Sequence, residues 1–267
     1  MKKETILDSF IRTCYDGFLQ GWHERNGGNL TYHLDSTEVA QLADIIKEEG
    51  SLHYELPGDF SVLKDEYFIT TGSNRFMRNA PLDPETTLGI IKIDEKGLGY
   101  NIVWGLKNSK PTSELPTHLL NHINRNSVTH NCKVIYHAHP ANITALSYTI
   151  DIDSRILTRI LWQSETECAV VFPQGVGIVP WMIPGGMDIA IETSNLIKEF
   201  PAVVWAYHGL FCAGSALDET FGLMHTIEKA AEIYLKAKTV GIKHTITDEN
   251  LKELAKAFKV ELNPKFL

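Results

Sequence analysis

No C-x-x-C spacing occurs in this 267-residue chain: Cys14, Cys132, Cys168 and Cys212 stand far apart. That excludes a zinc knuckle or a vicinal redox pair and leaves reduced, mostly buried thiols as the expectation. No stretch approaches 18 consecutive apolar residues, so no membrane-spanning helix and no membrane partner are expected. The first 29 residues open with charges and space Ile6, Phe10, Ile11, Cys14, Phe18 and Leu19 at helical intervals, without an apolar core of signal-peptide type. A cytoplasmic protein is expected. Basic residues are also short in supply: 25 Lys and Arg against 33 Asp and Glu give a net charge of −8. A nucleic-acid partner is not expected, because neutralising a duplex needs a dense cationic face; one small phosphate remains within reach. No G-x-G-x-x-G opens a helix after a first strand, which leaves a Rossmann fold unsupported. Without low-complexity linkers or internal repeats, residues 1–267 are expected to form a single domain.

The hydrophobic fraction of 43% and charged fraction of 22% are those of a globular protein with a substantial core. The first helix is expected to end near Gly21, and "RNGGN" reads as a tight turn feeding the strand "LTYHL". Residues 37–50, "TEVAQLADIIKEEG", read as helix. "DEYFITTGSNRFMRN" is a strand running into a Gly/Ser/Asn loop, and "TLGIIKID" and "GYNIVWG" form a hairpin across "EKG". "PTSELPTHLLNHINR" reads as a helix start: Thr112 and Ser113 can cap exposed amides, Glu114 falls in the first turn, and Pro116 sits there too. The strand "KVIYHAH" leads into a helix at "PANITALSYTI". Further strands are expected at "ECAVVFP", "GVGIVPW" and "AVVWAYHG", then helices at about 218–240 and in "TDENLKELAKAF". Hairpin-connected strands interrupted by helices predict an α/β fold with a mixed, largely antiparallel central sheet covered by helices.

Chemistry concentrates in a few places. With 11 histidines in the chain, about half an H-x-H pair is expected by chance, so the spacing of His137 and His139 proves little alone. On a strand, however, positions i and i+2 share a face, and the two rings can aim at one point. His208, at the end of another apolar strand and followed by Gly209, is a third candidate. Three neutral imidazoles bind zinc and leave a coordination position for substrate; a hydrogen-bonded pair without metal is the competing reading. Glu114, after a Thr-Ser pair at a helix N-terminus, stands where free amides favour anions, including a phosphate; it could equally be an ordinary capping-region glutamate. His118 lies one turn beyond on the same face. The loops "NGGN" (26–29) and "TTGSN" (70–74) combine glycines with amide and hydroxyl donors, and either alone would pass for a turn.

Taken in order, "GGN", "TTGS", "PTSE", "HAH" and "HG" resemble the zinc-dependent class II sugar-phosphate aldolases, over nearly the whole chain. Within that family, "GWHERNGGNLT", "FITTGSNRFMRN", "PTSELPTHLL", "VVFPQGVGIVPWMIPG" and "LDETFGL" are similar to the branch acting on rhamnulose 1-phosphate. The segment 36–64, longer than in the fuculose-type chains, points the same way. The resemblance implies that His137, His139 and His208 hold one Zn2+ and that Glu114 is the catalytic acid/base. It implies further that Asn26, Gly28, Asn29, Ser73, Thr112 and Ser113 surround the substrate phosphate, and that Glu167 reaches a neighbouring subunit's site. The implied reaction cleaves a phosphorylated ketose to dihydroxyacetone phosphate and L-lactaldehyde through a metal-stabilised enediolate, in a homotetramer with active sites between subunits. Alternatives on the same scaffold are a fuculose-phosphate aldolase, a ribulose-phosphate 4-epimerase, a dehydratase or a non-catalytic assembly domain of the adducin kind. Where the rhamnulose branch has Gly-Lys after the Ser of the second loop, this chain has Asn74-Arg75, which keeps the positive charge and adds an amide.

Overall fold

A computed structural model describes residues 5–267. The first half runs α1 (Ile6–Leu19), β1 (Asn29–Leu34), α2 (Ser36–Gln41), β2 (Leu52–Glu55), β3 (Tyr67–Thr71), α3 (Pro84–Thr87), β4 (Leu88–Ile93), β5 (Gly99–Gly105) and α4 (Leu115–Thr129). The second runs β6 (Val134–Ala138), α5 (Ala141–Ser147), α6 (Ser154–Ser164), α7 (Cys168–Val171), β7 (Gly177–Val179), α8 (Met187–Glu199), β8 (Ala202–Trp205), β9 (Gly209–Gly214), α9 (Leu217–Val240) and α10 (Asp248–Phe258). The strands form one nine-stranded sheet in the order β2-β5-β4-β3-β1-β6-β9-β8-β7. Among the described residues only β7 and β8 pair in parallel, so the expected mixed, largely antiparallel α/β architecture is the observed one.

The two-residue alternation of β1 sorts the interior. Leu30, Tyr32 and Leu34 pack into the main apolar cluster with Phe10 and Cys14 of α1 and Met224 and Ile227 of α9. Asn29, Thr31 and His33 are left on the opposite face, toward α4. That second face is lined further along by Ile135, Val203, Trp205 and Phe211, against Ile189 and Ile197 of α8. Pairing places Asn29 opposite His137 and Thr31 opposite Ile135, and His137 in turn opposite Phe211. A polar strip thus crosses the centre of the sheet beneath α4, bounded by aromatic rings. All four cysteines are free and buried, and no helix among the described residues is long and apolar enough to cross a membrane.

Three local expectations fail. The helix expected over 37–50 stops at Gln41, and Lys47 instead donates its backbone N–H to Val103 O at 2.8 Å, tying this segment to β5. "ECAVVFP" is not a strand: Cys168 to Val171 make one helical turn with Cys168 and Ala169 buried. A run of four or five apolar residues fits either state, and burial decided here for the helix. The third fails only in part: Thr112 Oγ1 does accept from a backbone amide, the Glu114 N–H at 3.2 Å, but Glu114 itself occupies the N-cap position of α4, without a side-chain cap.

Candidate active site

His137 is the fourth residue of β6 and His139 follows its end, anchored by its N–H to Trp22 O at 3.0 Å. His208 lies in the turn between β8 and β9, three residues past the strand end rather than on it. Tyr207 takes a left-handed φ of 68° there, and its N–H is held by Ser147 Oγ at 2.9 Å. Gly209 permits the approach: a Cβ on it would stand 2.4 Å from Ala138 O. The result is that one ring nitrogen from each of the three histidines lies within 4.8 Å of the other two.

The hydrogen bonds show which nitrogens are available. His137 Nδ1 donates to Leu210 O at 3.2 Å and His139 Nδ1 to Glu24 Oε1 at 2.6 Å, leaving both Nε2 lone pairs free. Such outer partners are the usual way a ligating imidazole is oriented. His137 Nε2 and His208 Nε2 are 3.3 Å apart, and two ligands of a tetrahedral ion at about 2.0–2.1 Å stand about that far from each other. Burial, then the neighbouring imidazoles His139 and His208, holds His137 well below the ordinary histidine value; burial foremost pushes His208 down to about 4. Both therefore present the neutral form that metal binding requires. On this donor set and spacing, the three histidines fit a zinc-type ion. Burial works to raise the Glu24 carboxyl, but its bond to His139 and the imidazole charge outweigh that and bring it down, which suits a permanent acceptor.

Glu114 Oε2 lies 3.7 Å from His137 Nε2 and accepts from Asn29 Nδ2 at 2.9 Å. The residue is 8% exposed. Burial raises its proton affinity above the usual carboxylate range, and this exceeds the opposing effects of the Asn29 bond and the charge of His139. The carboxylate, His139 and His208 open onto a pocket of about 250 Å3, with His137 buried behind them. Asn26, Gly28, Asn29, Ser73, Thr112, Ser113, Glu114, His139 and His208 all line it, with Gly27, Gly72, Asn74, Pro184 and Gly185. The loop 70–74 and the segment before α4 are pinned together by Ser73 N–H to Lys110 O at 2.8 Å and Thr112 N–H to Thr71 O at 2.9 Å. Gly28 takes φ +72°, and a Cβ there would lie 2.5 Å from His23 Nδ1 and 2.7 Å from His137 O. His23 fixes that loop, with Nδ1 donating to Gly27 O at 3.0 Å and Nε2 accepting from the buried Tyr136 hydroxyl at 2.7 Å.

The departure at Asn74-Arg75 has a local account. Asn74 adopts a left-handed φ of 57°, the conformation that asparagine tolerates best after glycine. Arg75 turns its Nη2 to Lys107 O at 2.8 Å and Asn108 O at 3.3 Å. Glu167 is the one expected site residue that does not join the others: exposed at the N-cap of α7, it does not line this pocket. Sequence reasoning did not single out Glu24, Pro184 or Gly185. Glu24 had one signal, a carboxylate two residues before the glycine loop, but nothing tied it to a histidine 115 positions away.

The family described as Class II Aldolase and Adducin N-terminal domain matches residues 8–235. Rhamnulose-1-phosphate aldolase of Salmonella schwarzengrund is 45% identical over 258 residues, covering 96% of this chain and 94% of that protein. The protein of the same name from Mannheimia succiniciproducens is 44% identical with the same coverage. Among solved structures, a sugar-phosphate aldolase from Thermotoga maritima superposes with a TM-score of 0.75 at 26% identity, covering 90% of this chain and 97% of that one. With the family matched across most of its length and relatives this similar end to end, the chain belongs to the class II aldolase and adducin N-terminal domain family.

Proposed function

We propose that this protein is a zinc-dependent aldolase that reversibly cleaves L-rhamnulose 1-phosphate to dihydroxyacetone phosphate and L-lactaldehyde. The observation that carries the reading is the convergence of His137 and His139, from the end of β6, and His208, from the β8–β9 turn, on one point within reach of a buried carboxylate. The substrate assignment is supported by the relatives that share 44–45% identity over 96% of the chain and bear that enzyme's name.

His137 and His139 would hold the ion through Nε2 and His208 would complete a three-imidazole set, a donor combination that suits zinc and leaves a position for substrate. When bound, the ion supplies Lewis acidity that stabilises negative charge on the ketose oxygens as the C3–C4 bond breaks. Glu114 returns a proton to C3 of the three-carbon fragment in cleavage and removes it in synthesis; its raised proton affinity makes it a competent base at neutral pH. Asn26, Gly28, Ser73, Thr112 and Ser113 offer amides and hydroxyls for the phosphate, and Asn29 holds the carboxylate. Fixing the phosphate sets the distance from the reacting carbon to Glu114.

The assembly we propose is a cytoplasmic homotetramer of single-domain subunits. Trp181 and Ile183, 65% and 74% exposed, adjoin the Pro184–Gly185 wall of the pocket. A neighbouring subunit would cover this apolar rim, and an exposed Glu167 is free to serve a site other than its own. The test is turnover of untagged, metal-quantified protein on rhamnulose 1-phosphate, fuculose 1-phosphate and ribulose 5-phosphate. About one zinc per chain with a preference for the first substrate is expected. Preference for either of the others moves the assignment to an aldolase or epimerase of that sugar, and metal-free protein inert on all three leaves the non-catalytic assembly role.

A further inference from the structure

Between the Glu114 carboxylate and the interior runs a line of polar side chains, three of which do not line the pocket. β1 presents Asn29 and Thr31 to α4, and α4 presents His118 and His122, one turn apart, to β1. Thr31, His118 and His122 have no exposed surface, and Asn29 is buried. Thr31 Oγ1 lies 2.9 Å from His122 Nε2 and 2.8 Å from His118 Nδ1. His118 Nε2 meets Asn29 Oδ1, and Asn29 Nδ2 donates to Glu114 Oε2 at 2.9 Å. The ring of Phe211 stands edge-on to His118 and that of Phe68 tilts against His122.

The proton positions follow by elimination. An ionised carboxylate only accepts, so Asn29 turns its NH2 to Glu114 and its carbonyl oxygen to His118. His118 must then carry its proton on Nε2, leaving Nδ1 to accept from the Thr31 hydroxyl. The Thr31 oxygen in turn accepts from Nε2–H of His122. The series ends on His122 Nδ1, buried and without a partner; in this sense it is a bare acceptor. The opposite sense would place an unpaired N–H donor at that point and set Asn29 Oδ1 against a carboxylate oxygen, two uncompensated costs. The carbonyls of Ile135 and Cys132 come near enough to the two rings to favour their charged forms slightly. Neither carbonyl has the geometry of a full hydrogen bond to a ring nitrogen: both His118 nitrogens are taken by Thr31 and Asn29, His122 Nδ1 has no partner, and Cys132 O already accepts from Asn126 Nδ2 at 2.9 Å. Burial foremost drives His118 down to about 3 and His122 well below the ordinary value, so both stay neutral.

We propose that Thr31, His118 and His122 are positioning residues, a one-way series of hydrogen bonds that locks the Asn29 amide and through it aims the Glu114 carboxylate. An amide cannot pass a proton on while remaining an amide, so the series orients and does not conduct. Linked bonds that all point one way also polarise one another and stiffen the arrangement. The effect on turnover rests on the aldolase reading of the site; the two tautomers do not.

The experiment is a long-range 1H–15N correlation spectrum of the zinc-loaded protein labelled at histidine, with kinetics of Thr31→Val and Thr31→Ser. Nε2–H tautomers at both His118 and His122 are expected, and an Nδ1–H tautomer at either overturns the proposal. Thr31→Val, which keeps the shape and removes the central hydroxyl, should lower kcat about 10- to 100-fold with KM moved far less, the scale of a misaimed catalytic group. Thr31→Ser should restore it. Wild-type kcat in folded Thr31→Val also overturns the proposal. If Thr31→Val does not fold, the wild-type spectrum and rescue by Thr31→Ser decide. A wild-type protein inactive on every sugar phosphate but showing both tautomers defeats the aldolase reading alone.

Discussion

Glu114 is held by opposing influences within a few ångströms. Burial raises its proton affinity, while Asn29 Nδ2 at 2.9 Å and the imidazole of His139 favour the charged form. A carboxylate wholly governed by the nearby cation site would be too weak a base to take a carbon-bound proton; one wholly governed by burial would stay protonated. The balance predicts the outcome of Glu114→Gln. The amide fills the same space and does not belong to the histidine cluster, so zinc content should stay at the wild-type level. Exchange of the dihydroxyacetone phosphate carbon-bound proton with solvent, followed by NMR in D2O, should fall about 10²- to 10⁴-fold, the usual contribution of a positioned acid/base. Exchange at the wild-type rate in the variant would remove Glu114 from the role. The residues needed for this reading were visible in the sequence as types and order. Their partners were not: Glu24 on His139 and Thr31 between two histidines depend on contacts across 115 and about 90 residues, which no local pattern encodes.

At the scale of elements, the site depends on how β6 passes into α5. His139 and Pro140 lead straight into that helix, whose first amides are satisfied not by a local cap but by Glu228 of α9. Its carboxylate accepts from Asn142 N at 2.9 Å, Asn142 Nδ2 at 2.7 Å and Ile143 N at 2.8 Å. Glu228→Ala should therefore cost about 2–4 kcal/mol of unfolding free energy, because it leaves charge-assisted donors buried without a partner. Denaturant unfolding of the zinc-loaded protein would measure this, and a change under about 0.5 kcal/mol, the range of an ordinary surface substitution, would contradict it. Elements with a clear period were legible from sequence: β1 and β6 as strands, α1 and α9 as helices. The short α7 was misread because four apolar residues carry no period, and residues 37–50 because Lys47 leaves the helical pattern to bond with Val103. α6, α8, β2 and β9 were not assigned at all. β9 begins directly after the His208 turn with a glycine, so its apolar run looked like a continuation of the strand before it.

Across the whole molecule, the buried histidines set how the fold meets acid. His23, His118 and His122 are neutral inside the protein, pushed down by burial first, to about 4 and about 3 for the first two and well below the ordinary value for the third. Unfolded, each returns to the ordinary value of 6.5. Between that value and the folded one the unfolded chain binds more protons, so stability rises with pH there and falls as the solution is acidified. It is complete above pH 6.5 and withdrawn progressively below. Each such group removes about 1.2 kcal/mol between pH 6 and 5, so three remove about 3–4 kcal/mol, a large share of a typical 5–15 kcal/mol. Glu114 and Glu228, raised by burial, act in the opposite sense near and above the ordinary carboxylate value and blunt the loss toward the acid end of this window. The melting temperature of the zinc-loaded protein should therefore be flat from pH 8 to 7 and fall steeply from 6.5 to 5. His23→Gln, which can keep bonds to both Gly27 O and the Tyr136 hydroxyl, should reduce that slope by about one proton's worth, near 1.4 kcal/mol per pH unit. A wild-type profile that stays level down to pH 5, or a His23→Gln slope equal to the wild type's, would show that these imidazoles are hydrated or charged in the native state, contrary to their burial.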